Sequence, residues 1–287
     1  MELNKEQIKF LDQFAKGRWT LNEKTGLVDI EGDLNFSIRK KTEYCVWRRT
    51  TIVICKGLTD FKGVKFGVVT GDFSCHDNSL ESLEGAPQEV GGNFYCSTNN
   101  IKSLKGAPKK VGGDFSCKCN NLKSLKGAPQ WVGGNFYCYG NKLTSLVGAP
   151  QKVGGSFDCH LNSLKSLEGA PQKVGGYFRC SDNKLTSLVG APQEVGGNFR
   201  CENNKIPEFI SDRIDEIMDK CVDLRIALVL IKKEIIDKKQ KEIDKINSEK
   251  QKEIDKINSE FAPFLNQVLD DDLVKVVSIA SRYGHFD

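Results

Sequence analysis

The sequence predicts a repeat solenoid: a stack of short parallel β-strands with an α/β cap in front of it and an α-helical segment behind. Three observations predict this. Phenylalanine recurs with a 21-residue period at Phe73, Phe94, Phe115, Phe136, Phe157, Phe178 and Phe199. Each is followed by a cysteine, from Cys75 to Cys201, and then by an asparagine, from Asn78 to Asn204. After Ile206 glycine nearly vanishes and Lys, Glu, Asp and Ile take over. Self-similarity of this kind marks units that bury a hydrophobic face only by stacking on their neighbours.

Residues 1–50 read as the N-terminal cap. Asn4 with Gln7 three positions on is a helix start of the capping-box type, Ile8, Leu11 and Phe14 share a face, and Gly17 ends the helix. Thr20–Leu21 and Leu27–Ile30 read as the strands of a hairpin around Lys24-Thr25-Gly26. The stretches GDLNFS and TIVICKGLTDFKGVKFG read as degenerate turns, with Cys55 preceding Cys75 by one position less than a full period.

Residues 51–206 read as the solenoid. In the copy GGNFYCSTNNIKSLKGAPKKV, residues 91–111, side chains of an extended segment alternate. Phe94 and Cys96 therefore point inward, and Asn93, Tyr95 and Ser97 outward. Asn99 is expected to bond backbone groups at the bend, in its own turn and a neighbouring one. Gly91-Gly92 is expected to supply positive-φ backbone at a corner, and Pro108 to keep the return arm extended. The cysteine column reads as a small buried hydrophobe, because cysteines a full period apart provide none of the close pairs of a zinc site. Cys117-Lys118-Cys119 is the one local departure and too little to make a site.

The pattern F-x-C-x-x-N-x-L-x-x-L resembles the leucine-rich repeat, with Phe and Cys in the places of the first two leucines. The 21-residue period resembles the short bacterial class, and the arm G-A-P-x-x-V-G-G is similar to repeats encoded by tailed bacteriophages. The resemblance covers about residues 50 to 206. It implies a leucine-rich-repeat β-solenoid that binds a protein through its concave face. The phage-like style implies a host or counter-defence protein as the target, in the bacterial cytosol. The family binds many unrelated partners, so no particular partner follows from the fold.

Residues 207–287 read as a helical, coiled-coil region. KEIDKINSEKQ at 241–251 is succeeded by KEIDKINSE at 252–260, an 11-residue tandem repeat. Ile243, Ile246, Ile254 and Ile257 fall on one stripe, opposite a face of mixed charge. So narrow a stripe wants a partner. A homodimer through these isoleucines is the first expectation, folding back on a neighbouring helix the second. Pro263 is expected to break the helix or start the next, so that Phe264–Tyr283 forms a final one. DLRIALVLIKK at 223–233 is expected to close the last turn of the solenoid.

Whole-chain properties narrow the function further. The 287 residues carry 42 basic and 38 acidic side chains, a net charge of +4, too even for nucleic acid or an anionic membrane as main partner. The start, MELNKEQIKFLDQF, lacks the form of a secretory signal, and the longest apolar run, Ile226 to Ile231, falls far short of a membrane span. Eleven cysteines, an odd number, fit a reducing cytoplasm. There is no P-loop, dinucleotide fingerprint or H-E-x-x-H motif, so no cofactor, metal or catalytic residue is expected. Cys221-Val222-Asp223 matches the C-x-D nucleophile motif of ubiquitin-ligase effectors that carry such repeats, but the ligase domain of that family is much larger than the segment beyond the repeats here. Cys221 reads as a residue of a capping helix.

The candidate site is the outward strand surface. Columns that repeat carry structure, and columns that vary are free to carry recognition. Around the phenylalanines the varying columns place Tyr95, Tyr137, Tyr139 and Tyr177 on one face, with His160 beside them and Arg179 and Arg200 towards the C-terminal end. Tyrosine and arginine are the side chains most often found at binding hot spots. Trp131, on the return arm, suggests a second, edge-on contact. The rival expectation is a structural component of a phage particle, with the solenoid as spacer.

Overall fold

The computed structural model describes residues 2–37, 57–206 and 224–268 of the chain. It divides into two compact units, Met1–Val229 and Leu230–Asp287. The first opens with helix α1 (Lys5–Ala15). The Asn4 side chain accepts from the Gln7 N–H at 2.9 Å, and the Gln7 side chain accepts from the Asn4 N–H at 3.0 Å, satisfying two otherwise orphaned donors. The helix buries Phe10, Leu11 and Ala15, whereas Ile8 is exposed. The rotation follows from Phe36, whose ring lies 5.3 Å from Phe10 and 4.8 Å from Phe14.

Strands β1 (Trp19–Asn22) and β2 (Leu27–Ile30) form the expected antiparallel hairpin. A third strand, β3 (Leu34–Asn35), and a fourth, β4 (Phe66–Val69), complete the entry to the solenoid. β2 pairs in parallel with β4, so the hairpin is the beginning of a nine-stranded sheet. β3 pairs with Phe73–Ser74, which puts Leu34 in the phenylalanine column. The next residue but one, Phe36, donates its N–H to Ser74 O at 2.7 Å and stands in the cysteine column, the place the sequence assigned to Cys55. Cys55 itself lies outside the described residues. The corresponding residues Asp33 and Asp72 are 39 positions apart, so a long insertion interrupts the first turn and hides its register from a search at fixed period.

From Phe73 onward the turns are regular. Each contributes one two-residue strand beginning at its phenylalanine and one ending at the valine of the return arm. The first set, with β3, makes an eight-stranded parallel sheet; the second set joins the hairpin sheet. The return arm is therefore a second wall of the solenoid and not merely extended. Register is residue on residue: Phe136 faces Phe157, and Val132 faces Val153. The rings from Phe73 to Phe199 stack with centroids 5.0 to 5.5 Å apart. The cysteines from Cys75 to Cys201 are buried beside them. Offset stacking adds to the burial of each ring, and neither gain is open to a turn that stands alone.

Polar devices hold the turns in register. The Asn99 side-chain oxygen accepts from Leu80 N–H at 2.9 Å in the turn before, while its amide donates to Cys75 O at 2.9 Å and Cys96 O at 3.2 Å. The same arrangement recurs to Asn204, so the asparagine column does what its position predicts. The residue before each asparagine takes a left-handed backbone: Asp77, Thr98, Cys119, Gly140, Leu161, Asp182 and Asn203 all have φ between 52° and 65°. That explains Cys119, an exposed turn residue at the second position of the C-x-C.

The glycines differ from expectation. Positive φ is found at the glycine of G-A-P, as at Gly106 with φ 91°, where Ala107 N–H bonds Leu104 O at 2.9 Å to close a β-turn. The Gly-Gly pair lies outside the positive-φ region and is required for room. A Cβ on Gly112 would run into the carbonyl oxygen of Gly91, and one on Gly154 into that of Gly133. The turns approach too closely there for any side chain.

The described part of the second unit lies wholly within helix α2, which spans Leu224–Val268. It runs through Pro263 without a break. Only about a turn and a half lies beyond the proline, where the missing N–H costs one bond of the helical ladder. The final helix expected from Phe264 is thus, as far as Val268, part of α2, and its remainder lies outside the described residues. So does Cys221.

Candidate partner-binding face

Three columns of side chains surround the buried phenylalanines on the eight-stranded sheet. The column immediately before Phe proves to be structural. Asp33 Oδ1 accepts from the backbone N–H of Asp72 at 2.8 Å, and Asp72 Oδ1 from that of Asn93 at 2.7 Å. Asn93 and Asp114 each accept in the same way at 2.7 Å, as does Asn135 from Ser156 N–H. Ser156 Oγ then accepts from Tyr177 N–H at 3.1 Å. Asp, Asn and Ser share one property, a short side chain ending in an acceptor, and that property was the signal the sequence carried. At Tyr177 the ladder stops, for its hydroxyl stands at the far end of a ring.

The two other columns hold the aromatic block. Tyr137 and Tyr139 lie edge to face at 6.5 Å, and the His160 ring stacks on Tyr139 at 4.5 Å. Lys118 Nζ sits over the same Tyr139 ring, 5.3 Å from its centroid. Its pKa is raised, chiefly by the adjoining Tyr139 side chain. Asp158, buried, accepts from His160 Nδ1 at 2.6 Å and fixes the tautomer and tilt of the ring. The hydroxyls of Tyr137 and Tyr177 lie close enough to shift each other's protonation in opposite directions. Burial first, and Tyr177 second, push the Tyr137 hydroxyl up to about 12.

Beyond the aromatic block lies a basic groove of about 540 Å³ lined by Ser156, Gly176, Tyr177, Arg179, Gly197, Asn198 and Arg200. Arg179 and Arg200 face each other directly in the strand register. Arg179 Nε donates to Ser181 Oγ at 2.9 Å, and neither guanidinium meets a carboxylate among the described residues. Like charges directly opposite across a strand pair are destabilising, so this pair is not there for the sheet. Gly176 and Gly197 line the groove without side chains, which leaves access to both guanidinium groups.

The structure thus brings Tyr137, Tyr139, Tyr177 and His160 into one contiguous patch, with Arg179 and Arg200 adjoining it. Tyr95 stands apart, separated from Tyr137 by the rung that carries Ser116. Burial, and then the charges of Asp114 and Asp72, raise its pKa. Ser97, expected outside, is buried because it bonds Ser116 Oγ at 2.8 Å across the rungs. Lys118 and Asp158 belong to the patch and were not singled out from sequence, since a lysine and an aspartate on exposed strand positions look like ordinary solvated charge. Trp131 is on the other sheet, half-exposed, with Lys110 Nζ 5.4 Å from its ring.

The cysteine ladder has no such access. Burial pushes the thiols of Cys75, Cys96, Cys117, Cys138, Cys159 and Cys180 far above the ordinary cysteine range, the opposite of what a nucleophile or metal ligand needs. Among the described residues no three His, Cys, Asp or Glu side chains converge as a metal site. No described helix is long and apolar enough to cross a membrane. Comparison with known proteins finds no matching family model, no matching curated protein and no matching solved structure.

Proposed function

We propose that this protein is a non-enzymatic binding scaffold that captures another protein on the face carrying Tyr137, Tyr139, Tyr177, His160, Arg179 and Arg200. One observation carries the proposal: the acceptor ladder that runs from Asp33 to Ser156 ends at Tyr177, and the arginines opposed beyond it form no ion pair among the described residues, since Asp158, the acid opposite Arg179, bonds His160 instead. Where side chains stop serving the wall, another use has to account for them. The aromatic block suits an apolar or aromatic segment of the partner, and the arginine pair suits a carboxylate next to it. The resemblance to phage-type leucine-rich repeats directs the target class to a host or counter-defence protein in the bacterial cytoplasm, bound and thereby blocked. In the same reading, α2 self-associates through its isoleucine stripe.

The test is capture from bacterial lysate by the full chain, compared with Tyr137→Ala and Arg179→Ala. Loss of the same partner band in both variants supports the reading. An unchanged set of partners rules this face out. The rival role, a spacer in a phage particle, does not call for opposed unpaired arginines, and recovery of the protein in purified particles would favour it.

A further inference from the structure

Ile243, Ile246, Ile254 and Ile257 of α2 are 46 to 49% exposed, half-open apolar side chains in a stretch, 241–260, that is otherwise polar and charged. Their 11-residue spacing corresponds to about 3.67 residues per turn, so the stripe runs nearly parallel to the helix axis with only a slight right-handed drift. Lys250 lies on its midline. At about 100° per residue, Glu242, Glu249, Glu253 and Glu260 fall roughly 60 to 100° to one side of that midline. Gln240, Asn247, Gln251 and Asn258 fall at similar angles on the other side. Gln240 and Gln251 donate within the helix to Asp244 and Asp255, at 2.9 and 2.8 Å. One edge of the stripe is therefore a row of carboxylates and the other a row of amides.

A second copy of the chain is the occupant that fits this asymmetry, and the asymmetry selects its direction. The stripe is symmetric about Lys250, so apolar contact does not choose: Ile243 meets Ile243 of a parallel copy or Ile257 of an antiparallel one. Both arrangements also bring the two Lys250 side chains together. The flanks do choose, because parallel helices bring unlike edges into contact and antiparallel helices bring like edges together. An antiparallel pair centred on Lys250 sets Glu249 only about 3 Å along the axis from Glu253 of the second copy, and Glu242 equally close to Glu260. Lys239 and Lys250 lie on the stripe, and Lys245 and Lys256 approach Glu249 and Glu260 of their own helix at 3.9 Å, but exposed contacts of this kind contribute little and leave the two carboxylate rows opposed. A parallel pair sets each carboxylate row against an amide row, and lets Lys250 reach Glu249 of the second copy.

We propose that α2 of two copies pairs in parallel and in register. Each solenoid precedes its own α2, so both leave the same end of the paired helices. The protein is then bivalent, with two partner-binding faces tethered close enough for the second contact to be intramolecular. This rests on the self-association reading above and adds its direction and consequence.

The experiment uses the full chain with Cys119→Ser as background, and the oxidised background protein is the blank. Sedimentation equilibrium first reports whether the chain is a dimer. Ile243→Cys, oxidised, is expected to shift to twice the monomer mass on a denaturing gel, as is Lys250→Cys. In the antiparallel pair the two residues 243 lie about 21 Å apart along the axis, beyond disulfide reach, and only Lys250→Cys would cross-link. That result overturns the inference while leaving self-association standing. A monomeric wild type overturns both. Should Ile243→Cys itself dissociate the dimer, spin labels at Ser259→Cys on the opposite face decide: level with each other in the parallel pair, offset by about 27 Å along the axis in the antiparallel one.

Discussion

Replacing Asn120 with alanine tests how the turns are held together. Its side-chain oxygen accepts from Ile101 N–H at 3.0 Å, and its amide donates to Cys96 O at 3.0 Å, Cys117 O at 3.1 Å and Lys118 O at 3.2 Å. All three carbonyls keep another partner, because Asn99 also donates to Cys96 O, Asn141 to Cys117 O and the Thr98 N–H to Lys118 O. The Ile101 N–H does not, and Ile101 is fully buried. An orphaned buried donor costs about 1 to 3 kcal/mol, and each of the other bonds about 0.5 to 1.5 kcal/mol, so we expect a loss of about 3 to 5 kcal/mol. That is a large part of the stability of a typical folded domain, about 5 to about 15 kcal/mol. Urea unfolding monitored by tryptophan fluorescence, to which Trp131 of the same turn contributes, reads it. Asn198→Ala serves as control, since Asn198 is exposed and its side chain holds no rung of the ladder. A midpoint for Asn120→Ala within about 1 kcal/mol of wild type would refute the reasoning, for a donor so placed has nowhere else to bond.

Four further outcomes are expected. Leu161, with φ 52° and 54% exposed, sits in a backbone region that disfavours a leucine. Leu161→Asn should raise stability by up to about 1 kcal/mol, measured by urea midpoint. Gly154→Ala should cost about 2 to 3 kcal/mol despite being the smallest possible change, because the new methyl meets the backbone of the previous turn, and thermal unfolding will show it. Among the described cysteines only Cys119 should react with a thiol reagent in the native protein, so Cys119→Ala removes one fast equivalent. Tyr137 should titrate near pH 12 by ultraviolet absorbance. Since its folded pKa is raised, the stability it confers is complete below pH 10 and is lost as the pH climbs to about 12.

The fold was legible because a stacked structure writes its contacts into the sequence period. Phe94 touches Phe115, and Asn99 bonds the turn before it, so spacing along the chain is also position in space. The helical repeat of α2 was legible for the same reason. A broken period hides what it separates: Phe36 fills the cysteine column of the first turn, but an insertion parts it from the rest. A residue type that serves two purposes is equally opaque. Gly106 and Gly112 look alike in sequence, yet one is a turn with positive φ and the other a point of closest approach.

The candidate site was legible only in outline. Variation between copies pointed to Tyr137, Tyr139, Tyr177, Arg179 and Arg200. It also pointed to Asp72, Asn93, Asp114 and Asn135, which vary in name while doing one job. Sequence determined the rungs, because the inward residues answer to hydrophobic burial, and burial repeats with the turn. Which outward residues are spent on bonding the next rung, and which are left out of that bonding, depends on distances of about 3 Å between chain segments far apart in sequence. Only the stacked structure, with Tyr177 ending the ladder and two arginines facing each other beyond it, decides that.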